Sequence, residues 1–376
     1  MAGATALIGA GWGSEGKGVV AAAITPWFRA AVRVGGPNAG HTFYDQFGQK
    51  HVMRGVPCAA WIDQTVDLII GAGAVVDREL LEEEMASLPY RHITVDRGAV
   101  VVTELMRRQE EAMVGRIGST AEGVGMARAE KIYRNANATK LAKDYKWSDA
   151  VTISDTVLLL QEHLQMGHEV LLEGTQGSGL SLHHGISPVA NEPLHMAWPF
   201  CTSADTNAAQ LAADAGIAPS SVEHTLLVAR SYPIRVGGNS GAMGDEVQWA
   251  DIPGAPEPEL TTVTKRQRRI AMWNDEVFHR AVMLNNPCGM VLTFGDYLDP
   301  SISGETDPNR VYASAPVAAM VDHIETFFGV SVIAVGTGGK TYALAEFSPC
   351  DHGRFWFGQK HSGERAGRTA TVAGRS

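Results

Sequence analysis

The stretch ATALIGAGWGSEGKG, residues 4–18, predicts a buried strand that runs into a glycine-rich turn and then a helix. Residues 4–8 form a short apolar run that is typical of a buried parallel strand. Lys17 follows at the predicted start of the helix, where free N–H groups and the helix dipole favour anions. Residues 9–18, called the first glycine loop below, are therefore predicted to bind phosphate. A turn that only packs a strand against a helix is the alternative.

The glycine spacing fits two phosphate-binding patterns. Residues 11–16 fit G-x-G-x-x-G, but Arg33 stands where a dinucleotide site has its acidic residue, about 20 positions later. Residues 11–17 also fit the G-x-x-x-x-G-K of a P-loop, with Gly18 in place of the Ser or Thr that would hold Mg²⁺. The sequence thus argues against a dinucleotide site, and other groups must hold the metal.

The composition is that of an ordinary globular protein, because 45% of the 376 residues are hydrophobic and 19% are charged. The net charge of −10 argues against a nonspecific nucleic-acid binder or a membrane-surface protein. The cysteines at positions 58, 201, 288 and 350 lack C-x-x-C spacing, which argues against a zinc site or a disulfide framework. No apolar run reaches the roughly 18 residues of a membrane-spanning helix. We therefore expect a cytoplasmic protein without nucleic-acid or membrane partners.

Strands and helices alternate along the chain, which predicts an α/β fold with a mostly parallel central sheet flanked by helices. The predicted strands are residues 4–8, 31–34, 66–70, 169–173, 226–229, 290–293 and 330–335. The predicted helices are residues 19–30, 77–88, 151–165 and 311–328, and residues 115–140 are predicted to be a mobile functional loop. We expect one large domain over residues 1–348 and a polar, disordered C-terminal tail over residues 349–376.

Further loops with binding potential follow the first. Residues 35–42, 174–179 and 336–340 are glycine-rich and come directly after predicted strands, where ligands of open α/β sheets bind. Residues 261–269, TTVTKRQRR, called the basic loop below, concentrate cations in an acidic protein. Arginine donates bidentate hydrogen bonds to carboxylate or phosphate, so the basic loop is predicted to bind an anion. An exposed, solvated helix start is the alternative.

Five stretches, taken in order, resemble adenylosuccinate synthetases over nearly the whole chain. They are residues 11–18 (GWGSEGKG), 38–42 (NAGHT), 117–125 (IGSTAEGVG), 173–177 (EGTQG) and 293–296 (TFGD). In that family a nucleoside triphosphate phosphorylates O6 of IMP, and aspartate then displaces the phosphate to form an N6-succinyl purine. The resemblance implies an adenylosuccinate synthetase-like fold with P-loop-like glycine loops, a C–N ligase activity, Mg²⁺ as cofactor and a homodimer.

The resemblance also implies roles for individual residues. Ser14, Lys17 and His41 occupy catalytic positions, with His41 as the acid that stabilises charge on the transferring phosphoryl group and O6. The implied triphosphate-binding residues are Gly13, Glu15, Gly16, Lys17, Gly18, Gly40, His41, Thr42, Asp296, Gly336 and Gly338, and the Gly40 backbone would hold Mg²⁺. The implied nucleotide-substrate residues are Ser14, Asn38, Ser119, Thr120, Arg134, Gln176 and Thr202, with Arg134 supplied by the other subunit. The implied aspartate-binding residues are Thr262, Thr264, Arg268 and Arg269, with the arginine register open by one or two positions.

Ser14 departs from the family pattern, which has at this position an Asp that removes the N1 proton of IMP and binds Mg²⁺. A Ser hydroxyl leaves room beside the purine and can accept a hydrogen bond from the 2-amino group of guanine. This resembles the phage-encoded branch of the family, which joins aspartate to dGMP to give 2-amino-2′-deoxy-N6-succinyladenylate, the precursor of 2-aminoadenine DNA. We therefore predict dGMP, L-aspartate and ATP as substrates. Ordinary synthesis from IMP and an inactive nucleotide-binding protein are the alternatives.

Phe294 is a second departure, because the family reads the guanine of GTP with a Thr-Lys-x-Asp motif whose Lys stacks on the base. Residues 293–296 lack that Lys, so selectivity for guanine should weaken. The phage-encoded branch resembles users of ATP or dATP. We therefore predict ATP or dATP as the phosphoryl donor, with GTP as the alternative. The sequence does not identify the group that takes the N1 proton.

Overall fold

The computed structural model describes residues 3–45, 47–88, 91–188, 195–261, 265–338 and 342–344. Its strands are, in chain order, β1 (Ala4–Gly9), β2 (Ala30–Arg33), β3 (His41–Tyr44), β4 (Lys50–Met53), β5 (Asp67–Ile70), β6 (Val75–Val76), β7 (Ile93–Asp96), β8 (Val100–Val101), β9 (Lys140–Leu141), β10 (Val151–Ser154), β11 (Val170–Glu173), β12 (Val222–Arg230), β13 (Ile234–Arg235), β14 (Glu246–Val247), β15 (Arg269–Ala271), β16 (Gly289–Thr293), β17 (Val332–Gly336) and β18 (Tyr342–Leu344). Its helices are α1 (Lys17–Ile24), α2 (Arg78–Ala86), α3 (Glu104–Glu111), α4 (Val114–Ile117), α5 (Val124–Ile132), α6 (Thr156–Gln165), α7 (Ala208–Ala215), α8 (Asp275–Asn285), α9 (Pro308–Tyr312) and α10 (Ala315–Phe328).

A large central sheet organises the molecule, in the order β10-β7-β5-β2-β11-β1-β12-β16-β17-β18. Its first nine strands run parallel, and β18 pairs antiparallel with β17 at the edge. The predicted α/β fold with a mostly parallel sheet is therefore confirmed. Smaller sheets surround it: the hairpin β3–β4 and the three-stranded groups β13-β15-β14 and β6-β8-β9.

The central strand β1 owes its position to side chains that are small or apolar on both faces. Each of its residues is buried, and alternate residues enter different halves of the core. Leu7 packs with residues of α1, whereas Ala6 and Ile8 pack with residues of α7, α8 and α10. Helices therefore cover both faces of the sheet, as a parallel sheet requires.

The neighbouring strands β2, β11, β1, β12, β16 and β17 all end on one side of the sheet, because they run parallel. The last residues of these six strands are all polar, charged or glycine. These are Arg33, Glu173, Gly9, Arg230, Thr293 and Gly336. The loops that leave these strands therefore meet along one edge, which is where ligands of such sheets bind.

Three predicted elements differ from the structure. The predicted mobile loop 115–140 contains α4 and α5, because Val124 and Ala127 pack against Met106 in a small core of their own. The predicted helix 151–165 begins with strand β10, and the Asp155 side chain caps α6 behind it. The predicted helix 311–328 is two helices, α9 and α10, because the backbone is extended at Ser314 and its hydroxyl donates to Asp299 instead of continuing one helix.

The predicted tail, residues 349–376, lies outside the described residues. Within the described ranges, no helix combines the length and apolar character that a membrane crossing requires.

Candidate active site

The first glycine loop closes around a buried ion pair. The Glu15 carboxylate accepts hydrogen bonds from the backbone N–H groups of Gly11 (3.2 Å) and Gly13 (2.7 Å), and the Lys17 ammonium lies 2.6 Å from its other oxygen. Only 3% of the Lys17 side chain and 2% of the Glu15 side chain are exposed. The backbone is left-handed at Gly13 and at Gly16, which precedes α1. A loop that satisfies a carboxylate with two amides and an ammonium has the donors that a phosphate needs.

Ser14 links the first glycine loop to the basic loop. Its hydroxyl oxygen accepts a hydrogen bond from the Arg268 guanidinium, and its backbone carbonyl accepts one from Arg230 at 3.4 Å. Arg230 also pairs with Glu259, whose carboxylate accepts a hydrogen bond from the Tyr297 hydroxyl at 3.1 Å. The structure thus brings together Ser14 and Arg268, two residues that the sequence assigns to different substrates.

His41 is held by the buried carboxylate of Glu173. One carboxylate oxygen lies 2.6 Å from His41 Nδ1 and 2.5 Å from the Arg33 guanidinium, and the other accepts the Cys58 backbone N–H at 2.8 Å. His41, Cys58 and Glu173 offer ligand atoms of the kinds that bind transition metals, all within 4.8 Å of one another. The Arg33 cation, however, already donates to the Glu173 oxygen that contacts His41. Ion pairing therefore accounts for this cluster without a metal.

His41 and Glu173 differ in charge state. Burial and the nearby Arg33 charge lower the pKa of His41 to about 4. Burial alone would raise the pKa of Glu173, but the His41 hydrogen bond and the Arg33 charge lower it to about 2. Glu173 is therefore ionised and His41 neutral near pH 7. Because Glu173 accepts a hydrogen bond from Nδ1, the neutral ring carries its proton on Nδ1. Nε2 is then unprotonated.

A cavity opens beside the first glycine loop, between the loops after β2 and β11 and the helices α5 and α7. Of the residues predicted to bind the nucleotide substrate, Asn38, Gln176 and Thr202 line it. Arg128 on α5 and Asp214 on α7 line it as well, and the sequence analysis missed both. The cavity therefore offers amide, hydroxyl and guanidinium groups on facing walls.

Four other residues predicted to bind this substrate are not among the described residues that line the cavity: Ser14, whose contacts are given above, and Ser119, Thr120 and Arg134. Ser119 and Thr120 lie on the turn between α4 and α5, where the Ser119 hydroxyl accepts a hydrogen bond from the Ala121 N–H at 3.1 Å. Arg134 lies just beyond α5, exposed and in a left-handed conformation with φ 57°. A single chain thus leaves this arginine at its surface.

The end of the first glycine loop and strand β3 touch each other at Gly18. A Cβ atom added at Gly18 would lie 2.8 Å from the Thr42 carbonyl oxygen and 2.9 Å from the His41 Cβ. Gly40 immediately precedes β3. The residues that these two segments contribute to the predicted triphosphate site are therefore neighbours in space.

Asp296 and the loop after β17 lie at the other end of this edge. One Asp296 carboxylate oxygen is buried without a hydrogen-bond partner among the described residues, and burial raises the pKa of this group. Phe294 precedes it with φ 59°, and the Arg230 guanidinium lies 3.5 Å from the centre of its ring. Gly336 ends β17 and Gly338 follows it, with the Gly336 carbonyl oxygen 3.1 Å from a Cβ atom added at Gly295. An unpaired acceptor here suits a hydrogen-bond donor of a bound base.

The two predicted arginines of the basic loop have different partners. Arg268 reaches Ser14, whereas Arg269 donates to the Glu246 carboxylate at 2.7 Å and to the Ser240 hydroxyl at 3.0 Å. Arg268 is thus the one of the two that contacts the first glycine loop. Thr262 and Thr264, also predicted to bind aspartate, lie outside the described residues.

Several charged residues of the site are not among the predicted site residues. Arg33, Glu173 and Arg230 each end a strand of the central sheet directly after at least three apolar residues, and 2% or less of each is exposed. A charged residue at the carboxyl end of a buried strand is a signal that the sequence carries. Cys58 and Glu259 carry no comparable signal, because neither follows a strand of the central sheet.

Comparison with known proteins gives a consistent result. The family model of adenylosuccinate synthetase matches residues 6–152 and 136–302. The adenylosuccinate synthetase of Methanococcus maripaludis is 32% identical over 346 residues, which cover 89% of this chain and 96% of that protein. The enzyme of Methanocaldococcus jannaschii is 31% identical over 348 residues, which cover 90% of this chain and 95% of that protein.

Solved structures are similar over the same length. One is the cyanophage S-2L succinoaminodeoxyadenylate synthetase (PurZ), bound to dGMP and to dATP as an energy donor. It is 30% identical with a TM-score of 0.75, and the match covers 90% of this chain and 94% of that chain. The fully ligated adenylosuccinate synthetase from Plasmodium falciparum also has a TM-score of 0.75, at 18% identity, and the match covers 91% of this chain and 99% of that chain.

Proposed function

This chain belongs to the adenylosuccinate synthetase family of ligases, and we propose that it joins L-aspartate to C6 of dGMP. O6 of dGMP attacks the γ-phosphorus of ATP or dATP and releases the nucleoside diphosphate. The aspartate amino nitrogen then attacks C6, and the C6–O bond breaks to release phosphate. The product is 2-amino-2′-deoxy-N6-succinyladenylate, for the synthesis of 2-aminoadenine DNA.

Ser14 is the observation that carries this proposal. Its hydroxyl oxygen has two lone pairs, and Arg268 uses one of them. The other can accept a hydrogen bond from the 2-amino group of guanine, which IMP lacks. A carboxylate at this position would extend further towards the purine and fill the space of that group.

The similarities support the proposal without deciding it. Identity to the cyanophage protein is 30%, and identity to the archaeal adenylosuccinate synthetases is 31–32%, so overall identity does not discriminate between dGMP and IMP. The choice of dGMP rests on the chemistry at Ser14. Synthesis from IMP is the competing reaction.

The geometry supports a role for each catalytic residue. Lys17 and the amides that now contact Glu15 would hold the triphosphate. His41 would stabilise the transferring phosphoryl group with Nε2, and Glu173 would hold the ring through Nδ1. His41 is neutral in the free protein, so it must gain a proton as acid, and the negative charge of an arriving triphosphate favours that protonation.

Mg²⁺ fits the oxygen ligands that the loops offer. The Gly40 carbonyl and the triphosphate oxygens belong to the hard oxygen class that Mg²⁺ prefers. Ser14 contributes a hydroxyl instead of a carboxylate, so more of the coordination falls to phosphate and water. Bound Mg²⁺ would neutralise charge on the triphosphate.

Phe294 and Asp296 support an adenine donor. The Phe294 ring is stacked by Arg230, so no lysine ammonium is available at this position to stack on guanine. The unpaired Asp296 oxygen can accept a hydrogen bond from the N6 amino group of adenine. Initial rates with ATP, dATP and GTP at equal concentrations test this choice, and a strong preference for GTP would contradict it.

The exposed end of α5 supports a homodimer. Arg134 adjoins Ile132 and Tyr133, whose side chains are 76% and 78% exposed in the single chain. Apolar side chains of this size are usually covered when they surround a functional cation. A second copy would cover them and receive Arg134 at its substrate monophosphate.

Substitution of Ser14 by Asp tests the proposed substrate. The Ser14→Asp variant should lose most of its adduct with dGMP and gain adduct with IMP, because the carboxylate displaces the 2-amino group. Ser220→Asp is the matched control, since Ser220 is exposed in a surface turn and should leave the preference unchanged. Equal dGMP preference in wild type and Ser14→Asp would contradict the proposed role.

A further inference from the structure

Arg128 is a cation inside the substrate cavity for which the sequence provides no role. It lies on α5, one turn beyond Val124, and both side chains line the cavity from the same face of the helix. The residue is largely buried. In the described part of the chain, no hydrogen bond or ion pair within 4.0 Å reaches its guanidinium.

The described lining of the cavity carries one cation and two acids. Arg128 is the one cation among the described residues that line it, and Asp205 and Asp214 are the acids. Asp205 faces other donors, because it accepts hydrogen bonds from the Ser181 hydroxyl and from the His183 N–H at 2.9 Å. Asp214 accepts the Gln210 amide at 2.7 Å. Asp214 attracts Arg128 electrostatically, but no described carboxylate accepts a hydrogen bond from the guanidinium. Its N–H donors are therefore open to the oxygens of an anionic ligand.

The N-terminus of α5 cannot serve as the anion site in this structure. The Glu110 carboxylate accepts the backbone N–H groups of Gly123 (2.8 Å), Gly125 (2.5 Å) and Met126 (3.2 Å). The free amides that would otherwise attract a phosphate at a helix start are thus already used. A side-chain cation is therefore the donor that an anion on this side of the cavity can meet without displacing a carboxylate.

The position of Arg128 suits the phosphate end of a nucleotide. The reacting end lies near the first glycine loop, because a Cβ atom added at Gly13 would be 3.5 Å from the Gln176 amide oxygen. Arg128 enters from α5, near Asn38 and Val124. We infer that Arg128 binds the 5′-phosphate of the substrate nucleotide from within the same chain; this inference rests on the proposed assignment of the cavity to a nucleoside monophosphate.

Arg128 thereby complements Arg134, which is exposed on the single chain and would reach the phosphate only in a dimer. The guanidinium of Arg128 donates two parallel hydrogen bonds to phosphate oxygens, which a lysine cannot reproduce. A cation from the same chain lets one subunit hold its nucleotide before the partner contributes.

Calorimetric titration of matched nucleotides and nucleosides tests this inference. The Arg128→Met variant should bind dGMP roughly 10- to 100-fold more weakly than wild type, because a charged hydrogen-bonded contact is lost. It should bind deoxyguanosine within about two-fold of wild type, since the nucleoside has no phosphate. Arg128→Lys should retain part of the affinity for dGMP. Arg108→Met is the control, because Arg108 is 69% exposed and pairs with Glu104 on the surface.

Two outcomes would overturn the inference: unchanged dGMP binding by Arg128→Met, or an equal loss of dGMP and deoxyguanosine binding. If Arg128→Met does not fold, Arg128→Lys decides by the same comparison, since a lysine that matches wild type on both ligands also overturns it. Parallel titrations with IMP and inosine separate this inference from the proposed function. A wild type that binds IMP but not dGMP would contradict the proposed substrate. The role of Arg128 would then be tested by comparing how much the Arg128 variants lose in binding to IMP and to inosine.

Discussion

Glu173 shows how one buried carboxylate can set the chemistry of a site. It accepts hydrogen bonds from His41, from Arg33 and from both the backbone N–H and the thiol of Cys58. A buried charge of this kind is stable because both carboxylate oxygens accept hydrogen bonds and one of them is paired with the Arg33 cation. The consequence for catalysis is that Nδ1 of His41 keeps its proton and the ring cannot rotate away.

Replacement of Glu173 by Gln should reduce kcat by roughly 100-fold, the lower end of what general acid catalysis contributes. The neutral amide cannot stabilise a protonated His41, so the pKa of His41 in the loaded enzyme falls. The loss of activity with rising pH should therefore begin at a lower pH in Glu173→Gln than in wild type. Steady-state rates from pH 5.5 to pH 9 measure this shift.

Cys58→Ala is the control for that experiment, because it removes the thiol contact to Glu173 at 3.2 Å but keeps the backbone contact. It should retain kcat within a few-fold and an unchanged pH profile. A Glu173→Gln variant with lower kcat but an unshifted pH profile would show that Glu173 only supports the fold.

At the scale of elements, the strands that end in glycine loops are predictable, because each is a short apolar run that a glycine-containing loop follows. Strands β1, β11 and β16 appear within two residues of their predicted bounds. Helices α7 and α8 are not predicted, since their start signals are the single residues Asn207 and Asn274 in loops rich in polar residues. Helix α5 is missed because its two buried residues pack in a small core with β6, β8 and α3, which the local sequence pattern does not reveal.

Contacts between elements explain what the sequence leaves open at the site. Arg33 and Glu173 are 140 residues apart, and β2 and β11 bring them together only because they are neighbours in the sheet. Ser14 and Arg268 are separated by 254 residues. The order of strands decides such pairs, and local patterns do not encode that order.

Substitution of Gly18 by Ala tests the contact between α1 and β3. The added Cβ would meet the Thr42 carbonyl oxygen at 2.8 Å and the His41 Cβ at 2.9 Å, so β3 must shift and carry His41 with it. We expect a loss of about 1–3 kcal/mol in the free energy of unfolding and a lower kcat. Gly115→Ala is the control, because nothing lies within 4 Å of its Cβ position. Urea denaturation and initial rates check both variants, and equal behaviour of the two would refute the close contact.

At the scale of the whole molecule, an acidic chain carries a cationic site. The net charge is −10, yet Arg33, Arg230 and Arg268 lie along one edge of the central sheet. Composition predicts the absence of a broad basic surface, but it cannot place individual cations. The cations at the strand ends would provide the anion binding that we propose, although the average charge of the chain is negative.

The stability of the whole molecule should depend on pH through His41. The pKa of His41 is about 4 in the folded protein, below the ordinary histidine value of 6.5, so between these values the unfolded chain takes up a proton that the folded protein does not. Stability therefore falls as pH falls through this window. From pH 7.5 to pH 5.5 the loss due to His41 should be about 1 kcal/mol.

Urea denaturation of wild type and His41→Gln at pH 7.5 and pH 5.5 measures this contribution. The pKa of Glu173 is lowered to about 2, so this residue loses its stabilising effect only below the ordinary glutamate pKa of 4.5 and does not interfere. The difference between the two pH values should be smaller in His41→Gln by about 1 kcal/mol. An identical pH dependence in both proteins would show that His41 is not buried in its neutral form.

The choice of substrate is the central claim, and one measurement addresses it directly. The protein is incubated with L-aspartate, Mg²⁺ and ATP, with dGMP, GMP, dIMP and IMP in parallel, and the succinyl adduct is detected by mass spectrometry. Our account predicts adduct from dGMP and little from IMP. Adduct from IMP alone would contradict it and leave the protein an ordinary adenylosuccinate synthetase.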